Sequence, residues 1–170
     1  IYADDFMAYE RESYHVNKLL DWSATLPQDV RPRIDRIDSF ERMLDECETV
    51  WKFATAGDDL MSMSAFAADL ETTLGLSGEW SAHNRLDIAH AGNSKGRRLN
   101  AWIAEQGIAR DEVIAFGDQQ NDIEMLRMAG LGVAMENSRA EVRACADWVT
   151  GSNDSDAIAD TLQRFVLTVA

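Results

Sequence analysis

The chain of 170 residues carries 16 basic against 30 acidic side chains, a formal net charge of −14. Neutralising a nucleic-acid backbone needs a basic face, and a chain whose only lysines are Lys18, Lys52 and Lys95 cannot assemble one, which argues against nucleic acid as a partner. No apolar run approaches the roughly 20 residues that span a bilayer, so no membrane partner is expected, while a small anion held in a local pocket is compatible with the charge.

The opening residues drop directly into the alternation of a strand without a visible secretory signal, which reads as the start of a fragment. Ile1 to Ala3 and Phe6 to Tyr9 are expected to form a hairpin around Asp4-Asp5. A short helix is predicted over Val16 to Trp22, ending before Pro27. Ser39 is placed as the N-cap of a helix that turns Phe40, Met43, Leu44 and Cys47 inward, the spacing of one buried face. Val50 to Ala54 then reads as a strand with Trp51 and Phe53 on one face. Asp58 to Leu74 reads as a helix with Leu60, Met63, Phe66, Ala67 and Leu70 as its stripe and Gly75 as its stop. Glu79 to Ser81 and Leu86 to Ala89 complete this part as a second hairpin.

The texture changes after Gly92. Lys95 to Gln106 is a predicted helix burying Leu99, Trp102 and Ile103 and ending at Gly107. Val113 to Phe116 is a short, uninterrupted apolar run, the mark of a parallel strand covered on both faces. A helix from about Asn121 to Ala129 and a second apolar run, Leu131 to Met135, follow. Ser138 with Glu141 has the spacing of a capping box for a helix burying Val142 and Cys145. Trp148 to Thr150 reads as a strand. Asp154 to Leu167 reads as a terminal helix with Ile158, Leu162, Phe165 and Val166 inward. Cys47 and Cys145, far apart and set in helical patterns, are expected to be buried free thiols, in keeping with a reducing cytoplasm. Strands alternating with helices make the chain α/β, and the order after Gly92 is half of a doubly wound sheet. Such sheets bind ligands beyond the carboxyl ends of their strands, which directs attention to the loops after Phe116 and Met135.

The first of those loops is Gly117-Asp118-Gln119-Gln120-Asn121-Asp122. Asp118 and Asp122, four residues apart, can converge on one centre, and hard oxygen ligands suit Mg²⁺, which takes one or two carboxylates and completes its shell with water and phosphate. Each residue also has a plainer use: Asp122 can complement a helix dipole, Asn121 can cap, and Gly117-Asp118 can be an ordinary turn. Their combination behind a fully apolar strand favours a metal site. About 20 residues earlier, Asn93-Ser94-Lys95-Gly96 opens a helix whose free backbone N–H groups and lysine can face a phosphate, although an exposed lysine there is commonly just solvated.

Lys95-Gly96, then Gly117-Asp118-x-x-Asn121-Asp122-x-x-Met125-Leu126, then Ala129-Gly130-x-Gly132-Val133-Ala134-Met135-x-Asn137, resembles the third and fourth motifs of the Cof-type haloacid dehalogenase (HAD) phosphatases. Tyr2 to Asp5, Val50 to Ala54, Glu79 to Ser81 and Asp87 to Gly96 are similar to the pyridoxal phosphate phosphatase branch of that family. The resemblance implies the C-terminal half of a HAD Rossmann-like core over residues 92–170 and an α/β (α+β) Cof-type cap, the substrate-specificity domain, over residues 1–91. It implies a Mg²⁺-dependent hydrolase acting on a small phosphorylated metabolite, pyridoxal 5′-phosphate first and sugar phosphates second, through a phospho-aspartyl intermediate. Lys95, Asp118 and Asp122 would be catalytic, Lys95 and Asn121 would hold phosphate, and Asp118 and Asp122 would serve the metal. Among cap residues Trp80, His83 and His90 are candidates for choosing the substrate, with structural roles the plainer reading. Ser155-Asp156-Ala157-Ile158 departs from the Asp-Gly that many members carry before the last helix.

The family's nucleophile is the first Asp of an Asp-x-Asp after an apolar strand, and none occurs upstream of Gly92. A missing N-terminal core segment is therefore expected, and the polypeptide alone is expected to be inactive and poorly stable. The competing reading is a non-catalytic Mg²⁺-binding or interaction fragment.

Overall fold

The computed structural model describes residues 1–3 and 5–167. Its contacts divide the chain into two units, the first made of Ile1–Gly78 and Asn84–His90, the second of Glu79–His83 and everything from Ala91 onward.

In the first unit β1 (Tyr2–Ala3) and β2 (Phe6–Tyr9) pair antiparallel with Ala3 opposite Phe6, the hairpin expected from the alternation. Asp4 of the expected turn lies outside the described residues. Helix α1 (Tyr14–Thr25) is longer than the reading over Val16 to Trp22, because Ser13 caps it by accepting from the Val16 amide at 3.2 Å. An unforeseen strand, β3 (Arg33–Arg36), runs parallel to β2. Only Ile34 within it is apolar. As the sheet's outermost strand it tolerates charge, with Arg33 paired to Asp35 at 2.5 Å and lying over the Phe6 ring.

Ser39 caps α2 (Phe40–Glu46) as expected and Met43 is buried, but Leu44 is exposed and Cys47 falls just past the helix end. β4 (Val50–Ala56) carries Trp51 and Phe53 on its more exposed face, while the alternate Lys52 reaches the buried Asp87. Helix α3 (Leu60–Leu74) stops at Gly75, whose φ of 64° suits a residue without Cβ. Asp59 caps it by accepting from the Ser62 hydroxyl and amide, and these bonds hold its carboxyl below the ordinary value. Of its expected stripe Met63 is buried, whereas Phe66 is 49% exposed. The hairpin of β5 (Leu76–Ala82) and β6 (Arg85–His90) completes a six-stranded sheet in the order β3-β2-β1-β4-β6-β5.

The second unit contains α4 (Lys95–Gln106), β7 (Ile114–Gly117), α5 (Ile123–Met128), β8 (Leu131–Ala134), α6 (Ala140–Arg143), β9 (Trp148–Val149) and α7 (Ala157–Leu162). Its strands form a parallel sheet in the order β7-β8-β9, with Phe116 opposite Val133 and Val133 opposite Trp148. The fold class is thus α/β with a parallel sheet, as the alternation implied. The core is Ala115, Leu126, Ala129, Ala134 and Val142. Gly132 lets β8 lie against α5: a Cβ there would stand 2.3 Å from the Leu126 carbonyl oxygen.

Four expectations are corrected here. In α4, Ile103 is buried but Trp102 is 52% exposed, and the tight inner contact is made by Gly96. Ser138 is no cap: Arg139 occupies that position, and the Ser138 hydroxyl turns inward to donate to the Met135 carbonyl. The terminal helix begins later, at Ala157, continues from Leu162 as a π-helical stretch over Gln163–Leu167 to the expected end, and is rotated. Ala157 and Thr161 face inward because Thr161 bonds the Thr150 hydroxyl at 2.7 Å, leaving Ile158, Phe165 and Val166 exposed. Finally, both cysteines are free but half-buried rather than buried. Among the described residues no helix is long and apolar enough to cross a membrane.

Candidate active site

β7 delivers its last residues to the carboxyl edge of the parallel sheet. The loop beyond turns at once, since Gly117 is pressed against Asp122, where a Cβ would come within 2.4 Å of the Asp122 Cβ. That contact draws the Asp122 side chain under its own loop, where it is 3% exposed. One carboxylate oxygen, Oδ2, accepts the backbone N–H groups of Asp118 and Gln119, each at 3.0 Å. The other, Oδ1, receives the Lys95 ammonium at 2.5 Å. A buried carboxylate requires such compensation on both oxygens.

Lys95 thereby crosses from the first turn of α4 to the turn before α5, bringing together two clusters separated by 27 positions in the sequence. It also stands 3.5 Å from the Asn121 side-chain oxygen, a long contact. Asp118 is more lightly held, its Oδ2 approached by the Gln119 side-chain amide at 3.4 Å. An open groove collects Lys95, Asp118 and Asp122 with Asn153, Ser155 and Asp156 of the loop before α7. Its apolar wall is Phe116, Met125, Met135, Ile158 and Leu162. The expected residues Lys95, Asp118, Asn121 and Asp122 are thus neighbours, although Asn121 does not line the groove itself. Trp80 lies half-buried in β5, and His83 and His90 are exposed at the turn and end of the second hairpin.

Among the described residues no three His, Cys, Asp or Glu side chains gather closely enough to enclose a metal. The donor set nevertheless suits a hard cation held in part by protein: Asp118 presents a carboxylate with little other engagement, and Mg²⁺ commonly takes one or two carboxylates with the rest of its shell from water and phosphate. Asp122, with both oxygens occupied, fixes the loop that carries Asp118.

Several contacts escaped sequence reasoning, although Ser94 and Asn137 themselves stand in the motifs quoted above. Asn153 and Asn137 clamp the far loop through an Asn153 amide to Asn137 Oδ1 bond at 3.0 Å. Ser94 caps α4 by accepting from the Arg97 amide at 3.2 Å and also donates to Glu124. Its position one residue before the helix was a legible signal for the cap, but nothing in the sequence announces Glu124.

The sequence profile of the haloacid dehalogenase-like hydrolases matches residues 2–162. The pyridoxal phosphate phosphatase YbhA of Escherichia coli is 45% identical over 167 residues, covering 98% of this chain and 61% of that protein. The 5-amino-6-(5-phospho-D-ribitylamino)uracil phosphatase YitU of Bacillus subtilis is 31% identical over 109 residues, covering 64% of this chain and 40% of its own. Among solved structures, a haloacid dehalogenase-like hydrolase from Bacteroides thetaiotaomicron matches with a TM-score of 0.72 at 27% identity, over 96% of this chain and 59% of that one. The chain therefore spans at most about three-fifths of the length of these proteins. A match over nearly the whole sequence, on a parallel sheet whose edge carries the expected lysine and acids, has one consequence: the chain belongs to the haloacid dehalogenase-like hydrolase family.

Proposed function

We propose that the protein is a phosphatase for a small phosphorylated metabolite, pyridoxal 5′-phosphate in the first instance. The observation that carries this reading is the Lys95–Asp122 pair, which joins two sequence clusters beside Asp118 at the end of a parallel strand. The choice of substrate rests on the 45% identity to a pyridoxal phosphate phosphatase across almost the entire chain.

Under this reading residues 92–170 are half of the hydrolase core and residues 1–91 the cap that selects the substrate. Lys95 and Asn121 meet the phosphoryl oxygens, where fixed donors neutralise charge that grows in the transition state. Asp118 would hold Mg²⁺, and Asp122 orients both the Asp118 loop and the Lys95 ammonium. The bound cation would supply electrostatic stabilisation of the phosphoryl group. The attacking carboxylate is assigned to a segment outside these 170 residues, an assignment supported by the absence of an Asp-x-Asp after an apolar strand upstream of Gly92. A cytoplasmic setting accords with the two free thiols.

The test uses the full-length gene product with pyridoxal 5′-phosphate and a panel of sugar phosphates, with Mg²⁺ and with chelator. Hydrolysis is expected with Mg²⁺ alone. Asp118→Ala is expected to lower kcat/KM by about a thousandfold or more, in line with the loss of a principal electrostatic group. Activity retained in that variant overturns the metal assignment; a wild type that hydrolyses no phosphate ester overturns the whole reading.

A further inference from the structure

Lys95 is the first residue of α4, and its long side chain must arrive at one place beside Asp122. A lysine stem has many rotamers, so its ammonium is well placed only if the helix start is itself fixed relative to the Asp122 loop. The contacts that fix it converge on one residue, Glu124, in the first turn of α5. Its Oε2 accepts the hydroxyl of Ser94, the α4 N-cap immediately before Lys95. Its Oε1 stands 3.6 Å from the Nε of Arg97, two residues after Lys95. Between them Gly96 rests on Glu124 itself, where a Cβ would come within 2.6 Å of its Cγ and 2.7 Å of its backbone carbonyl carbon.

Resting on the phosphatase reading above, we infer that Glu124 is a positioning residue for Lys95, locking the first turn of α4 onto the first turn of α5. Two acids at the start of α5 divide the work: Asp122 takes the ammonium, and Glu124 takes the cap and the third residue of the same turn. Glu124 does not line the groove and its side chain is half exposed, so it acts through Lys95 rather than on substrate. Gly96 belongs to the same device, because any side chain there would push the lysine's own turn away from α5. An exposed Arg–Glu contact contributes little to stability by itself, so the consequence of removing Glu124 is expected in catalysis more than in folding.

The experiment is a double-mutant cycle in the full-length protein, reading kcat and KM for pyridoxal 5′-phosphate beside the thermal midpoint. Glu124→Ala is expected to lower kcat by about thirtyfold, within the hundredfold range that follows from an ångström of misplacement. In a Lys95→Met background the same substitution is expected to change kcat by less than about twofold, since the group it positions is gone. Glu124→Gln keeps an acceptor for Ser94 and the packing on Gly96, and is expected to restore kcat to within about threefold of wild type. Should turnover of the Lys95→Met forms fall below detection, the same cycle read in the Kd for inorganic phosphate decides the matter. Equal losses in both backgrounds, failure of the glutamine variant to recover activity, or an unaffected Glu124→Ala variant would each overturn the role of Glu124 alone. A wild type without phosphatase activity strikes instead at the underlying function.

Discussion

In the first unit the enclosed apolar side chains are spread thinly, with Leu86 and Ile88 on β6 and single methionines, Met43 and Met63, from two helices. In the second, Leu126, Val133, Ala134 and Val142 are almost wholly enclosed, and Gly96, Gly117 and Gly132 let chain press directly on chain. The ion pairs differ in the same sense. Asp122 has hydrogen bonds on both oxygens, whereas Asp87 is held by Lys52 at 2.6 Å on one oxygen and on the other has no hydrogen bond, only the Arg85 Nε at 3.7 Å. A loop seated by glycine contacts has few side-chain rotamers through which to drift, so the unit with the tighter packing is the one that can aim its acids. A sheet held by scattered side chains can vary its surface more freely.

The contrast can be broken at three places. The largest effect is expected for Gly132→Ala, whose methyl would meet the Leu126 carbonyl: a loss of about 3 kcal/mol by the usual cost of overpacking, read by denaturant unfolding. A loss below about 1 kcal/mol would mean that α5 shifts easily and that glycine packing does not set the precision of this unit. Next comes Lys52→Met, which leaves the buried Asp87 with only the longer contact to Arg85, 3.7 Å from its Oδ1. Because Lys52 is itself one-third exposed, about 2 kcal/mol is expected rather than the full cost of a buried pair. The double replacement Lys52→Met with Asp87→Leu should recover most of that stability, and equal losses would show that the pair organises the sheet beyond its charges. The smallest effect is expected at Trp102, where replacement by Gln should change stability by no more than about 0.5 kcal/mol, since half its surface already meets solvent. A larger loss would show the exposed ring to be covered in solution.

Asp118, Asn121 and Asp122 drew attention by their spacing behind an apolar strand and Lys95 by its place in the motif resemblance, and the structure brings the four within reach of one another. Most strands and helices were legible for a similar reason: period and caps are local. What escaped depends on partners distant in sequence. Glu124 meets Ser94 across 30 positions, and no local pattern connects them. The face of α7 was misjudged because an apolar stripe is ordinarily the buried one, yet here the Thr150–Thr161 hydrogen bond turns the polar side inward and Ile158 and Leu162 toward the groove. β3 was invisible because an outer strand can be built from arginine and aspartate without the alternation that marks inner ones.

The wall of the groove holds the carboxylates of Asp118, Asp122 and Asp156 against the single ammonium of Lys95, a formal surplus of two negative charges. A phosphate monoester is itself close to dianionic at neutral pH. Unit charges of like sign 4 Å apart near a protein surface repel by roughly 4 kcal/mol, so under the phosphatase reading these acids alone would oppose the arrival of such an ester. Under the phosphatase reading proposed above, a divalent cation held at Asp118 would offset that surplus and so favour docking of the ester.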